Sequence, residues 1–302
     1  MRVASPFKTV VFFLLTMLTF GSTAQAQTLV GTIREASTSQ PVPYANIGIP
    51  GKDVGTVADA QGHYQLSYTA ANLADTVRLS SIGYEPRRVL LRELLAKPDV
   101  VLASVAVALA DVRVQAPGLF KRRLTLGNTS HSEVIIAGMA AEGHGAEVGV
   151  IISLRHQPTK VQQARFNLLY TDSTDLTFRV NLYRLLPDGQ PSNEKLNRRD
   201  IIVHSNSRPN HAGPLVVDLT PDNLVLDEDF LLTLEWVAGG TAHKFQEVHE
   251  LRKNVYFSAA LGYFGQPPYI RKTSQGKWEK MSLGARLAGM QFKVGFNVTA
   301  LD

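Results

Sequence analysis

Cysteine is absent from all 302 residues. Without it there are no disulfides and no thiol nucleophile, so an exported domain of this chain must stand on its own apolar core. A lipid anchor attached to cysteine behind a leader is excluded by the same absence. Charge of one sign is also scarce: 31 basic and 26 acidic residues leave a formal net charge of +5, and +3 once Arg2 and Lys8 are set aside. The basic runs are short, at Arg87-Arg88, Lys121-Arg122-Arg123 and Arg198-Arg199. They read as solvated surface, and no basic stripe marks a nucleic-acid partner. Long apolar runs are missing beyond the first residues. Val100–Ala110 comes closest but falls well short of the ~20 residues that span a bilayer. Helical periodicity is nearly absent; only Glu93–Lys97 and Glu247–Arg252 fit a turn or two of helix. The chain has no G-x-S-x-G, H-E-x-x-H or phosphate-binding loop, and no cofactor is expected.

What is present begins with a leader. Arg2 and Lys8 precede an apolar stretch from Thr9 to Phe20, and Ala24-Gln25-Ala26 supplies small residues for cleavage before Gln27. Residues 1–26 are therefore expected to be a signal peptide. The mature chain is expected in the periplasm or at the outer-membrane or cell surface, with no transmembrane segment after cleavage.

Residues 30–92 hold an ordered string of turn and strand signals. Val30-Gly31-Thr32-Ile33 opens a strand, and Pro41 and Pro43 keep the chain extended. Pro50-Gly51 suits a turn that needs a positive φ at its third position. Asp59-Ala60-Gln61-Gly62 reads as a hairpin loop, followed by Tyr64, Leu66 and Tyr68 alternating with His63, Gln65 and Ser67. Together with Gly55-Thr56 and Ile82-Gly83-Tyr84, these segments resemble the carboxypeptidase regulatory-like domain. Ile33 and Ala58 depart from that family's usual Val and Thr. The resemblance implies a seven-stranded, transthyretin-like sandwich over residues 27–104, acting as a folding or docking module without catalysis. It also implies kinship with modules that precede outer-membrane receptor barrels, and at this length no barrel is expected to follow here.

Residues 105–130 are expected to be a linker jointed at Ala116-Pro117-Gly118, with apolar positions able to add a strand to a neighbouring domain. From residue 131 to 302 the pattern is again strands and turns. Phe178, Val180 and Leu182 alternate with Arg179, Asn181 and Tyr183, and runs such as Phe230–Trp236 and Met290–Val298 follow. About eight strands are expected in a larger, jelly-roll-like sandwich, making the whole chain all-β. Leu126-Gly127-Asn128, Gly145–Gly149 and Val217-Asp218-Leu219 also resemble an uncharacterised region that accompanies the same module in exported bacterial proteins. That resemblance implies compartment and architecture but no activity.

Two constellations suggest chemistry. His144-x-x-Glu147, with His243 and His249 about a hundred residues on, has the spacing of a zinc peptidase. No suitably placed glutamate follows, and glycines at 143, 145 and 149 favour close backbone packing with Glu147 paired locally, so no metal is expected. Asp227-Glu228-Asp229 reads as a solvated loop rather than a Ca²⁺ site. Asp218 and Glu235 are candidate partners for arginines at strand ends. His204 and His211 flank a loop, and isolated histidines of that kind seldom hold metal.

The aromatic cluster is more suggestive. Tyr263, Phe264, Tyr269 and Trp278 fall in a stretch broken by Gly and Pro, with Arg271, Gln275 and Lys277 alongside. Loop aromatics with such neighbours form stacking platforms for sugars. The competing reading packs Tyr256 and Tyr263 into the core and uses the other rings to seal its rim. The sequence thus points to a non-enzymatic binding or scaffolding protein of the envelope. Its candidate ligand site is Tyr263, Phe264, Tyr269, Arg271 and Trp278, and its partner is an unidentified glycan, peptide or protein. A hydrolase with its site in the second domain is the alternative.

Overall fold

A computed structural model describes residues 25–105, 120–139, 144–170, 176–205, 213–239, 255–281 and 289–302. Residues 1–24 of the leader, most of the expected linker, His211, His243, His249 and the Glu247–Arg252 segment lie outside the described residues.

The first domain is a sandwich of seven strands: β1 (Gln27–Glu35), β2 (Asn46–Gly48), β3 (Gly55–Val57), β4 (His63–Tyr68), β5 (Thr76–Ser80), β6 (Arg87–Leu90) and β7 (Val100–Leu102). One sheet has the order β4-β1-β7 and the other β3-β2-β5-β6. A short helix, α1 (Leu91–Ala96), buries Leu91 and Leu94 between β6 and β7. Along β4 the burial alternates residue by residue, with Tyr64, Leu66 and Tyr68 inward, because successive side chains of a strand point to opposite faces. They close over Ile33, Ile47, Val77 and Leu79 to form one core.

The Asp59–Gly62 turn differs from the expected hairpin. β3 pairs with β2 and β4 pairs with β1, so the turn hands the chain from one sheet to the other. Its chemistry is as expected. The Asp59 carboxylate accepts the backbone N–H groups of Gln61 and His63 at 2.8 Å each, and Gly62 sits at φ +76°.

The second domain contains β8 (Arg123–Gly127), β9 (Ile136–Met139), β10 (Glu147–Ile152), β11 (Thr159–Tyr170), β12 (Leu176–Leu185), β13 (Pro191–Lys195), β14 (Ile201–Ser205) and β15 (Gly213–Asp218). It continues with β16 (Val225–Leu226), β17 (Phe230–Ala238), β18 (Val255–Gly262), β19 (Tyr269–Arg271), β20 (Glu279–Lys280), β21 (Gln291–Val294) and β22 (Phe296–Leu301). One sheet runs β13-β12-β17-β10-β19-β20 with β14 also on β12. The other runs β21-β18-β11-β22-β8 with β9, β15 and β16 attached. Apolar side chains of both sheets, among them Phe166, Phe178, Trp236, Phe257 and Phe296, meet in one core.

Strands outnumber the expected eight because long runs are divided. Met290–Val298 breaks at Gly295, whose N–H donates to the Ser258 carbonyl at 2.7 Å, giving β21 and β22. The twelve-residue β11 meets four partners in turn: β15, β16, β18 and β22. β8 comes from the segment read as linker and pairs along β22. Among the described residues no helix is long and apolar enough to cross a membrane.

Candidate ligand site at the domain seam

The site grows from one face of the β12-β17-β10-β19 sheet. Phe178, Val180 and Leu182 point into the core, so Arg179, Asn181 and Tyr183 must take the other face. β17 and β10 obey the same rule, sending Thr233, Glu235 and Glu147 to that side. Strand register then aligns four charges side by side: Arg179 opposite Glu235, Glu235 opposite Glu147, and Glu147 opposite Arg271. Directly opposed like charges are unfavourable. Here an arginine flanks each carboxylate, and all four residues are at least 96% buried.

Hydrogen bonds complete the row. Arg271 Nε donates to Glu147 Oε2 at 2.8 Å, and its Nη2 donates to the same carboxylate and, at 2.6 Å, to the Tyr183 hydroxyl. Asn181 Nδ2 bridges the two carboxylates, 2.8 Å from Glu147 and 3.1 Å from Glu235. Thr233 donates its hydroxyl to Glu147. Arg179 Nη1 donates to Glu235 at 3.1 Å. Burial pushes the Glu235 carboxyl up, but Arg179, Lys195 and Arg271 outweigh it and hold Glu235 below its ordinary value. Burial likewise opposes the charge of Arg271, and the adjacent Glu147 more than offsets it.

The first domain covers this face. Arg179 reaches across to Asn46 Oδ1 at 3.0 Å and donates to the Tyr44 carbonyl, which a positive φ of 53° presents. The turn after β19 fits into the first sandwich: Gly51 N–H donates to the Gln275 carbonyl at 2.8 Å, and Lys272 pairs with Asp53 at 2.8 Å. Contact is close enough that a Cβ on Gly55 would lie 2.9 Å from Thr273 Cβ.

The seam does not close completely. A cavity of about 480 Å³ remains, with Arg78, Ser80 and Ser81 on one wall and Arg179, Lys195 and Arg271 on the other. Arg78 donates to Ser80 at 3.1 Å and to Gln275 Oε1 at 3.3 Å. Burial and the neighbouring Arg88 lower its guanidinium from the usual value. Burial, with Arg179 close by, lowers the Lys195 ammonium to about 8.

The sequence-predicted residues divide between two places. Tyr269, Arg271 and Trp278 come together, and of the three only Arg271 lines the cavity. The Arg271 guanidinium lies 4.2 Å from the Trp278 ring centroid, Trp278 Nε1 donates to the Ser192 carbonyl at 3.3 Å, and Tyr269 is fully buried with its hydroxyl 3.4 Å from Gln190. Tyr263 and Phe264 are instead 67% and 83% exposed at the β18–β19 connection and do not line the cavity. Tyr263 is therefore not a core residue, whereas Tyr256 is. His144 and Glu147 diverge: the imidazole lies edge-on to Trp236 and against the Gly239 carbonyl, while Glu147 is held by Arg271, 124 residues away, rather than locally. Glu235 meets its arginine in mid-strand, not at a strand end. Glu228 pairs with Arg184, and Asp229 accepts the Leu154 N–H at 2.9 Å. No group of three metal-binding side chains occurs among the described residues. Arg78, Arg179, Asn181, Tyr183 and Lys195 were not foreseen as site residues. The available signal was the Arg-x-Asn-x-Tyr face of a strand whose other face is wholly apolar.

The family model described as the CarboxypepD_reg-like domain matches residues 29–114, and the first sandwich is a domain of that family. Over 111 residues the chain is 31% identical to the TonB-dependent receptor SusC of Bacteroides thetaiotaomicron. That match takes in 37% of this chain and spans only 10% of the receptor's length. Among solved structures, the cysteine protease and lectin-like domains of Cwp84, a surface layer associated protein of Clostridium difficile, align with 82% of this chain and 46% of theirs, at 8% identity and a TM-score of 0.40. Clostridial Cwp84 after propeptide cleavage aligns over 82% and 51%, at 9% identity and a TM-score of 0.39. Likeness at that level carries no argument.

Proposed function

We propose that this chain is an exported, envelope-associated binding protein that takes its ligand in the seam between its two sandwiches and performs no chemistry of its own. The cavity between the domains carries this reading: its volume lies in the range of small-ligand pockets, about 300–1,000 Å³. The clamped network behind it supports binding over catalysis. Glu147 and Glu235, the buried carboxylates, are engaged by guanidinium groups, an arrangement that fixes charge rather than moving protons. The module shared with a TonB-dependent receptor supports the envelope assignment.

Saturation-transfer NMR against panels of sugars and peptides tests the location. Ser81→Trp, which places a ring at the cavity wall, is expected to abolish ligand signals, and Phe264→Ala to leave them unchanged. The reverse pattern would move the site to the exposed aromatic tip. Elemental analysis of the purified protein is expected to find no stoichiometric zinc; one zinc per chain would overturn the non-enzymatic reading.

A further inference from the structure

The seam cavity holds more positive charge than its fold requires. Among the described residues, Arg179 and Arg271 have buried carboxylate partners, but Arg78 and Lys195 have none within ion-pair distance. Arg88 adds a fifth cation to the lining, and Asp200 is the single lining carboxylate. Charges left unneutralised in a half-buried cleft are costly unless something else meets them. Unused hydrogen-bonding groups accompany them. Arg179 Nε and Ser274 Oγ belong to side chains more than nine-tenths buried, both line the cavity, and neither atom has a partner. Asp200 Oδ1 is likewise unpaired, while its Oδ2 lies 3.4 Å from Arg179 Nη2. The rest of the wall is rich in hydroxyl and amide groups, from Asn46, Ser80, Ser81 and Asn193.

Resting on the seam reading above, we infer that the ligand is an anionic sugar, whose carboxylate or phosphate is met by Arg78 and Lys195 and whose hydroxyls are met by Ser274, Asn193 and Asp200. Arg78 and Lys195 are partly buried and have no carboxylate, whereas Arg88 is exposed, so the two match one oxyanion. Charge-assisted bonds from them are roughly twice as strong as neutral ones. A carboxylate such as Asp200 would repel an anionic group but accepts hydrogen bonds from sugar hydroxyls, so both signs in the lining have a use.

Isothermal titration of the mature chain with galacturonate, galactose 1-phosphate and galactose tests this. Expected are binding of at least one acidic sugar, a loss of about tenfold or more for neutral galactose, and a loss of about tenfold in acidic-sugar affinity in both Arg78→Gln and Lys195→Gln, the scale of one charge-assisted bond. The melting temperatures of both variants should stay at or above that of the parent. Preference between the two acids separates a uronate from a sugar phosphate. Galactose binding as tightly as galacturonate would overturn the charge argument while leaving the seam as the site. Acidic-sugar binding untouched by both substitutions, or a peptide carboxylate binding more tightly than any sugar, would overturn it too. So would an absence of acidic-sugar binding up to about 10 mM, an affinity near 3 kcal/mol.

Discussion

Lys195 shows what the seam asks of a single residue. Its ammonium faces Arg179, Glu235, Asp200 and Glu147 and sits 6.0 Å from the Tyr183 ring, and burial brings it down to about 8. The unfolded chain keeps its proton up to the ordinary value of about 10.5, so between those limits the unfolded state binds more protons. This group's contribution to stability therefore improves as pH rises from 8 to 10.5. Anion binding should run the opposite way: affinity for galacturonate is expected to fall as pH climbs through 8 and the ammonium deprotonates. Titrations at pH 7 and 9.5 check this, and Lys195→Arg, which keeps its charge, should flatten the dependence. Gly62 makes a simpler residue-scale case. Its φ of +76° disfavours any β-branched residue, and an added Cβ would lie 2.5 Å from the Ile33 carbonyl oxygen. Gly62→Val is expected to cost at least ~1 kcal/mol, read as a lowered melting temperature of the first domain.

At the scale of elements, the charged row across β12, β17, β10 and β19 works as a unit. Glu147→Gln removes the carboxylate that holds Arg271 and leaves a guanidinium buried beside Trp278 and Tyr183 without compensation. Breaking a buried pair in this way costs about 3–5 kcal/mol, far more than an exposed pair such as Lys272–Asp53. Urea denaturation of Glu147→Gln is expected to show that loss, and Lys272→Ala less than about 1 kcal/mol. A loss below ~1 kcal/mol in Glu147→Gln would mean that the row contributes little. Elements also set how much was legible beforehand. The first sandwich could be read from local signals, since Pro50-Gly51, Asp59–Gly62 and the β4 alternation each act within a few residues. The second gave its strands by the same alternation. The polar face of β12 was visible too, but Arg179 finds Glu235 56 residues on and Asn46 133 residues back. Pairing at that distance depends on sheet order, which alternation does not encode. The aromatic cluster misled for a related reason: Tyr263 and Tyr269 are close in sequence, yet the β18–β19 turn leaves the first in solvent and the second under the sheet.

The whole molecule raises the question of whether the two sandwiches behave as one cooperative body. Their separate apolar cores would let each fold alone, and residues 27–104 carry a full set of turns and an inward face of their own. Against that stands the seam, where Arg179, Gln275 and Lys272 of the second domain bond to Asn46, Tyr44, Gly51 and Asp53 of the first, and the buried charge row depends on the first domain to exclude water. Gly55 separates these contributions. It lies in β3 outside the left-handed region, so valine suits the strand's backbone there; a Cβ would lie 2.9 Å from Thr273 of the second domain and 3.0 Å from the Ile47 carbonyl oxygen of its own sheet. In Gly55→Val the isolated first domain should still fold and melt only slightly below the parent fragment, while the full chain should lose coupling between its halves. Calorimetry of the intact protein is expected to show one dominant transition, and that of Gly55→Val two resolved ones. Two transitions already present in the parent would mean that the seam is too weak to couple the domains. A cavity built on so loose a seam would not preorganise its arginines for any ligand.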